Sequence, residues 1–169
     1  DVNLRMKAKS LGLLVQDYKS NTVEDLSVLY KGMSTEENID PALIDDLFGG
    51  FDVLTEELNL DRDTIPNEFF ILRSGRKSAL ATNDVYRTPD GIRLVTKNSA
   101  YGITPKNAEQ TFALDALMNP NIPLVTISGK AGTGKTLLAL AAGLARRKEF
   151  RQIFMARPLV ALSNKEMGY

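Results

Sequence analysis

One eight-residue stretch constrains the fold of this chain more than any other feature. It reads, in order, Gly129, Lys130, Ala131, Gly132, Thr133, Gly134, Lys135 and Thr136, and it fits the pattern G-x-x-x-x-G-K-[ST]. Glycines let the backbone curl until successive N–H groups point inward. Where such a loop opens a helix, the free amides and the dipole of the helix N-terminus favour a phosphate. The stretch, called the glycine loop below, therefore predicts a phosphate-binding site.

The residues on either side have the character of the strand and the helix that such a loop needs. Residues 123–128 form a short apolar run rich in β-branched residues, which is typical of a buried strand. Residues 135–147 are apolar nearly all round and predict a helix that is buried on most sides. Residues 151–156 predict a second strand. The order strand, loop, helix, strand predicts one βαβ unit of a parallel sheet.

The motif also assigns roles to its members. Lys135 is placed to reach the β- and γ-phosphates of a nucleotide, and Thr136 offers a hydroxyl to magnesium. We therefore expect ATP with Mg²⁺ as the ligand. No Asn-Lys-x-Asp pattern for guanine is present. Gln110 lies about two dozen residues upstream, and its amide can pair with the donor and acceptor of adenine; an exposed helical glutamine explains it equally well.

The middle of the chain, residues 24–98, predicts a small, mostly antiparallel β module. Its predicted strands are residues 26–30, 68–73, 77–82 and 92–96. Tight turns are expected at Ser74-Gly75 and at residues 89–91. A short helix is expected after Asp40, with that residue as its cap and Pro41 at its first position. A further helix is predicted at residues 106–117. Residues 3–15 predict a helix that runs into an apolar end: Gly12 stops the helix, and residues 13–15 begin a strand.

The composition excludes several classes of site. The chain has 21 basic and 21 acidic residues, so its net charge favours neither nucleic acid nor a membrane. It contains no Cys and no His, which excludes disulfides, thiolate metal sites and an imidazole base. No run approaches the ~20 apolar residues of a membrane span, and no signal peptide is visible. A cytoplasmic protein without membrane contact is therefore expected.

Three stretches resemble the PhoH-like ATPases, a family of P-loop ATPases related to superfamily 1 helicases. They are residues 101–110, 125–140 and 154–158, and the final stretch from residue 164 to residue 169 is similar to the start of a further motif of that family. The resemblance implies ATP binding and hydrolysis, with RNA as a partner. It also implies assembly of the full-length protein into a homo-oligomer.

The N-terminus resembles a different part of the longer PhoH-like proteins, in which a PIN-type ribonuclease domain comes first. Residues 1–8 look like the end of a PIN active site and the helix after it. This resemblance implies that Asp1 is a magnesium-binding carboxylate. It divides the chain into the end of a PIN-like domain (1–20), a linker or β module (21–100) and the start of a P-loop ATPase domain (101–169).

The expected fold class is therefore α/β, an incomplete P-loop parallel sheet preceded by the β module and a helix–strand tail of the PIN-like domain. The other PIN carboxylates are absent, and no apolar strand ending in Asp-Glu follows the glycine loop. Such an acid normally holds the magnesium ion. We therefore expect the chain to be an internal part of a longer enzyme, without nuclease or sustained ATPase activity of its own.

Two other functions remain open from the sequence. A P-loop kinase or phosphotransferase would use the same glycine loop. An RNA-binding module without catalysis would use residues 73–106, which hold seven basic residues against Asp84 and Asp90. Arg157 follows the second predicted strand of the parallel sheet. Since ligands of such sheets bind at the carboxyl ends of the strands, we expect Arg157 to face the nucleotide or an RNA backbone.

Overall fold

The computed structural model describes residues 2–15 and 31–156, which fall into two compact units, Asp1–Lys31 and Gly32–Tyr169. The first unit contains helix α1 (Val2–Ser10), which ends in a turn at Gly12 as predicted. The strand predicted at residues 13–15 is wrong: the segment pairs with no neighbour in the described part of the chain, and Leu14 is 95% exposed. The strand predicted at residues 26–30 lies outside the described residues.

The second unit is built on a five-stranded sheet. Its elements, in chain order, are β1 (Met33–Glu36), α2 (Pro41–Phe48), β2 (Val53–Leu54), a 3₁₀ turn (Thr55–Leu58), β3 (Phe69–Ser74), β4 (Lys77–Thr82), β5 (Gly91–Leu94), α3 (Ala108–Met118) and α4 (Lys135–Ala145). The strand order is β1-β3-β4-β5-β2. β1 pairs with β3 in parallel, and the other pairs are antiparallel. The fold is mixed α/β, and the predicted, mostly antiparallel module is present in it.

Local signals in the sequence explain two of these elements. The carboxylate of Asp40 accepts the N–H of Ala42 at 2.9 Å, and Pro41 opens helix α2, as predicted. β3 and β4 form the predicted hairpin, with Phe69 opposite Thr82 and Ser74 opposite Lys77. Its turn places Gly75 at φ 58°, a conformation that favours glycine because it has no side chain to clash.

Alternation along β3 gives the sheet two buried faces. Phe70 and Leu72 are fully buried on one face, in the cluster that contains Ile44 and Leu47 of α2. Phe69 points to the other face and stacks on Phe112 of α3, with ring centroids 4.8 Å apart. Successive side chains of a strand point to opposite faces. The sheet is therefore covered by α2 on one side and by α3 on the other.

Helix α3 also contacts α4 and so lies between the sheet and the helix that follows the glycine loop. Leu114 of α3 shares a buried cluster with Leu138, Ala141 and Ala142 of α4. These three are the buried residues of α4, whereas Leu137 is 52% exposed. The prediction that this helix is buried on most sides is wrong, because in the described part of the chain it packs mainly through one face.

The predicted parallel pair of residues 123–128 and 151–156 is wrong as well. Both segments are described, and neither pairs as a strand. Leu124 is 78% exposed and Phe154 is 88% exposed. A strand needs backbone hydrogen bonds to a neighbour, and the described residues place no partner beside either segment. The incomplete parallel sheet expected around the glycine loop is therefore not formed here, although the loop and the helix after it are.

Candidate functional site

The backbone of the glycine loop adopts positive φ angles that glycine favours. Gly129, Gly132 and Gly134 have φ values of 152°, 79° and 86°, a region that residues with side chains rarely adopt. Gly134 is the N-cap of α4, so the helix begins at Lys135. The loop therefore opens a helix as the sequence predicts, and the first amides of α4 have no partner within the helix. Such amides can bind an anion.

The side chain of Lys135 bends back over the loop. Its Nζ donates to the carbonyl oxygens of Gly129 at 2.9 Å and Lys130 at 2.7 Å, and it lies 3.4 Å from Oγ1 of Thr133. The Thr133 hydroxyl itself donates to the Lys130 carbonyl at 2.9 Å. An ammonium has three donors, and here they all point to oxygens that line the loop. The ammonium therefore holds one positive charge against the glycine loop.

Gln110 contacts the glycine loop directly, although the two are far apart in the sequence. Its Nε2 donates to the carbonyl oxygen of Thr133 at 3.2 Å, and its Oε1 accepts the N–H of Lys106 at 2.8 Å. Nε2 also lies 3.4 Å from the point where a Cβ on Gly134 would stand. The structure thus brings Gln110 to the loop, and it shows that the amide connects the start of α3 to the loop.

Asn107 is a site residue that sequence reasoning missed. It is the N-cap of α3, and its side chain accepts the N–H of Gln110 at 2.9 Å. The pattern of a capping residue followed three positions later by Gln is a known signal for a helix start, and Asn107 and Gln110 show that spacing. This signal could have placed the start of α3, and with it the orientation of Gln110.

A cavity of about 270 Å³ lies between the start of α3 and the glycine loop. Its lining residues come from α3 and its cap, from the loop and the segment before it, and from α4: Asn107, Glu109, Gln110, Ala113, Ile127, Ser128, Gly129, Thr133, Lys135 and Leu138. Polar groups that converge on one end of a partly apolar cavity are typical of ligand sites. Four predicted site residues, Gln110, Gly129, Thr133 and Lys135, therefore share one cavity.

A larger cavity, of about 790 Å³, lies at the edge of the sheet. Four of its five acidic residues, all except Asp61, already serve the fold: Glu36 binds Arg62, Glu37 binds Arg73, Asp40 caps α2 and Glu57 accepts the N–H of Leu54. We regard this cavity as a groove between loops, because these carboxylates are occupied by structural contacts.

The structure does not bear on every predicted site residue. Thr136 is described and exposed at the start of α4. Asp1 and Arg157, the predicted magnesium and RNA contacts, lie outside the described residues. Within residues 2–15 and 31–156, no cluster of three or more acidic residues is suited to hold a metal ion. No helix in that part of the chain is long and apolar enough to cross a membrane.

Comparison with known proteins identifies the family. The model of the family described as "PhoH-like protein" matches residues 102–169. Over its whole length the chain is similar to curated relatives named Protein PhoH2, with 35% identity in Bacillus subtilis, 40% in Thermobispora bispora and 32% in Mycolicibacterium smegmatis. The chain belongs to the PhoH-like family. It spans only 38–39% of the length of these relatives. No solved structure matches it.

Proposed function

We propose that this chain contributes the ATP-binding region of a longer PhoH-like enzyme. The observation that carries the proposal is the shared cavity in which the amide of Gln110 meets the loop that holds Lys135. The loop provides helix amides and an ammonium for phosphates. The apolar wall from Ala113, Ile127 and Leu138 provides a surface for a base.

The hydrogen bonds of Gln110 leave it able to read adenine. A carboxamide has two N–H donors and two acceptor sites. The contacts with Thr133 and Lys106 use one of each. One donor and one acceptor remain, and the adenine edge presents one acceptor and one donor side by side. Guanine presents two acceptors on the same edge, so the free acceptor of Gln110 finds no donor there, and this arrangement favours ATP over GTP.

Magnesium fits the site in part. Thr136 provides the hydroxyl that such loops offer to Mg²⁺, and the ion would supply charge neutralisation at the phosphates. An additional carboxylate for Mg²⁺ is expected in the full-length protein, because the relatives are more than twice as long as this chain. Asp1 remains our candidate for a second, separate Mg²⁺ site in a PIN-like ribonuclease domain.

We further propose that the full-length enzyme hydrolyses ATP to act on RNA, as a cytoplasmic protein that forms homo-oligomers. The family supports the ATP-binding part of this proposal. The RNA part depends on the resemblance to helicases and on Arg157. Replacing Arg157 with Ala in the full-length protein is expected to lower RNA-stimulated ATP turnover more than ATP affinity. Equal RNA stimulation in both proteins would remove Arg157 from the RNA site.

ATP binding and base preference are tested together by isothermal titration of the full-length protein with ATP–Mg²⁺ and GTP–Mg²⁺. We expect wild type to bind ATP more tightly than GTP. Gln110→Ala should reduce that preference about fivefold, which corresponds to about 1 kcal/mol for one lost hydrogen bond. Gln152→Ala, at an exposed glutamine outside the cavity, is the matched control. Absence of ATP binding in wild type would contradict the proposed function, and an unchanged preference in Gln110→Ala would contradict the role of Gln110.

A further inference from the structure

A buried network of ion pairs joins the sheet to helix α3. Arg93 of β5 makes two parallel hydrogen bonds to Asp115 of α3, from Nη1 to Oδ1 at 3.1 Å and from Nη2 to Oδ2 at 2.7 Å. Its Nε donates to Oδ2 of Asp84 at 2.8 Å. The three side chains are 10–15% exposed. Asn119, which follows α3, donates to the same Asp84 oxygen at 3.3 Å. The network therefore fixes α3 near its C-terminal end.

In this buried network, one guanidinium is shared by two carboxylates. Burial alone would lower the pKa of Arg93, but its hydrogen bonds with Asp115 and Asp84 outweigh that effect and raise its pKa above the ordinary value. A guanidinium can hold one carboxylate with two parallel bonds and still reach a second one, whereas a lysine ammonium offers a single point of charge. The geometry therefore requires arginine at this position.

Gln110 stands on the same rigid helix, five residues before Asp115. At a rise of about 1.5 Å per residue, the two positions lie about 7.5 Å apart along the helix axis. A helix moves as a unit over such a distance, so a change in the placement of Asp115 also shifts Gln110. The contact that would change is the 3.2 Å hydrogen bond from Gln110 to Thr133 of the glycine loop.

The other contacts of α3 do not depend on Arg93. Phe112 stacks on Phe69 of the sheet, and Leu114 packs with Leu138 of α4. These two contacts are apolar, and a third, from Nη1 of Arg146 to the Leu117 carbonyl at 3.1 Å, is polar but does not involve Arg93. A conservative change at Arg93 leaves all three in place. Polar contacts therefore connect the sheet to the glycine loop in series: Arg93 binds Asp115 of α3, and Gln110 of the same helix binds the loop.

We propose that Arg93 is a positioning residue for nucleotide binding. By holding Asp115 it sets the angle of α3, and it thereby places Gln110 against the glycine loop without touching the nucleotide. The proposal rests on the proposed function of the loop. It assigns a role to the β module as well, because the sheet supports helix α3 and thereby orients the nucleotide site.

The test is the ATP affinity of Arg93→Lys in the full-length protein, measured by isothermal titration with ATP–Mg²⁺. We expect the affinity to fall about threefold or more, which is within the range for mutations that change coupling without touching the ligand. Arg62→Lys is the matched control. Arg62 also holds a buried carboxylate with two hydrogen bonds, to Glu68 at 2.7 and 3.0 Å, and its other hydrogen bonds go to Ser34, Glu36 and Asp63, none of which lies on α3. Its replacement should lower the melting temperature and leave ATP affinity unchanged.

Arg93→Lys in a Gln110→Ala background separates an effect on the position of Gln110 from a non-specific loss of structure. If Arg93 acts through Gln110, Arg93→Lys should change affinity by less than about 1.5-fold once Gln110 is gone, because residues that act on one path are not additive. Asp115→Asn provides a second variant that keeps the shape of the side chain, and it should behave as Arg93→Lys does. Affinities are compared at a temperature where circular dichroism shows each variant folded.

The possible outcomes are distinct. Loss of affinity in both variants, absent in the Gln110→Ala background, supports the proposal. Wild-type affinity in both folded variants overturns it, as does an equal loss in both backgrounds. A wild-type protein that binds no ATP overturns the proposed function of the loop instead.

Discussion

Replacing Lys135 with Ala should reduce the affinity of the full-length protein for ATP–Mg²⁺ by at least about tenfold. The substitution removes the ammonium that lies over the loop, within 2.9 Å of the carbonyl oxygens of Gly129 and Lys130. A hydrogen bond to a charged group contributes about 1.5–3 kcal/mol, and about 1.4 kcal/mol corresponds to a factor of ten in affinity. Isothermal titration with ATP–Mg²⁺ measures the change.

The control for this experiment is Lys148→Ala. Lys148 is an exposed lysine beyond the end of α4, at the opposite end from the glycine loop, and its loss should leave ATP affinity at the wild-type value. The internal contacts of Lys135 create a further expectation. The loop should become less ordered in Lys135→Ala without nucleotide, which hydrogen exchange would detect. ATP binding and turnover at wild-type levels in Lys135→Ala would show that the loop is not the nucleotide site.

The parts of the fold that sequence predicts are those that depend on near neighbours. The hairpin of β3 and β4 needs only two alternating segments and a glycine turn, and helix α2 needs only its capping residue and proline. The glycine loop belongs to the same class, because its motif specifies both its backbone and the helix that it opens. Each of these elements is present where the sequence predicts it.

The parts that sequence does not predict depend on distant partners. β1 has few apolar residues, and its parallel pairing with β3 joins Met33 to Phe69. The pair of Arg93 and Asp115 joins residues 22 positions apart on a strand and a helix, and no periodicity marks it. The apolar runs at residues 123–128 and 151–156 indicate strands correctly only if other strands lie beside them. In the part of the chain that the structure describes no strand lies beside them, and side chains such as Leu124 and Phe154 are exposed.

The sheet that supports α3 should lose the most stability when Phe70 is truncated. This side chain of β3 is fully buried, in the cluster with Ile44 and Leu47 of α2. Truncating a buried phenylalanine to alanine costs about 3–5 kcal/mol, from lost burial and the cavity left behind. The free energy of opening of β3 and β4, measured by hydrogen exchange in the full-length protein, should fall by that amount.

Phe51→Ala makes the same chemical change at a side chain that is 68% exposed, and we expect a loss below about 1 kcal/mol there. Similar losses in the two variants would contradict the assignment of Phe70 to the buried cluster that contains Ile44 and Leu47.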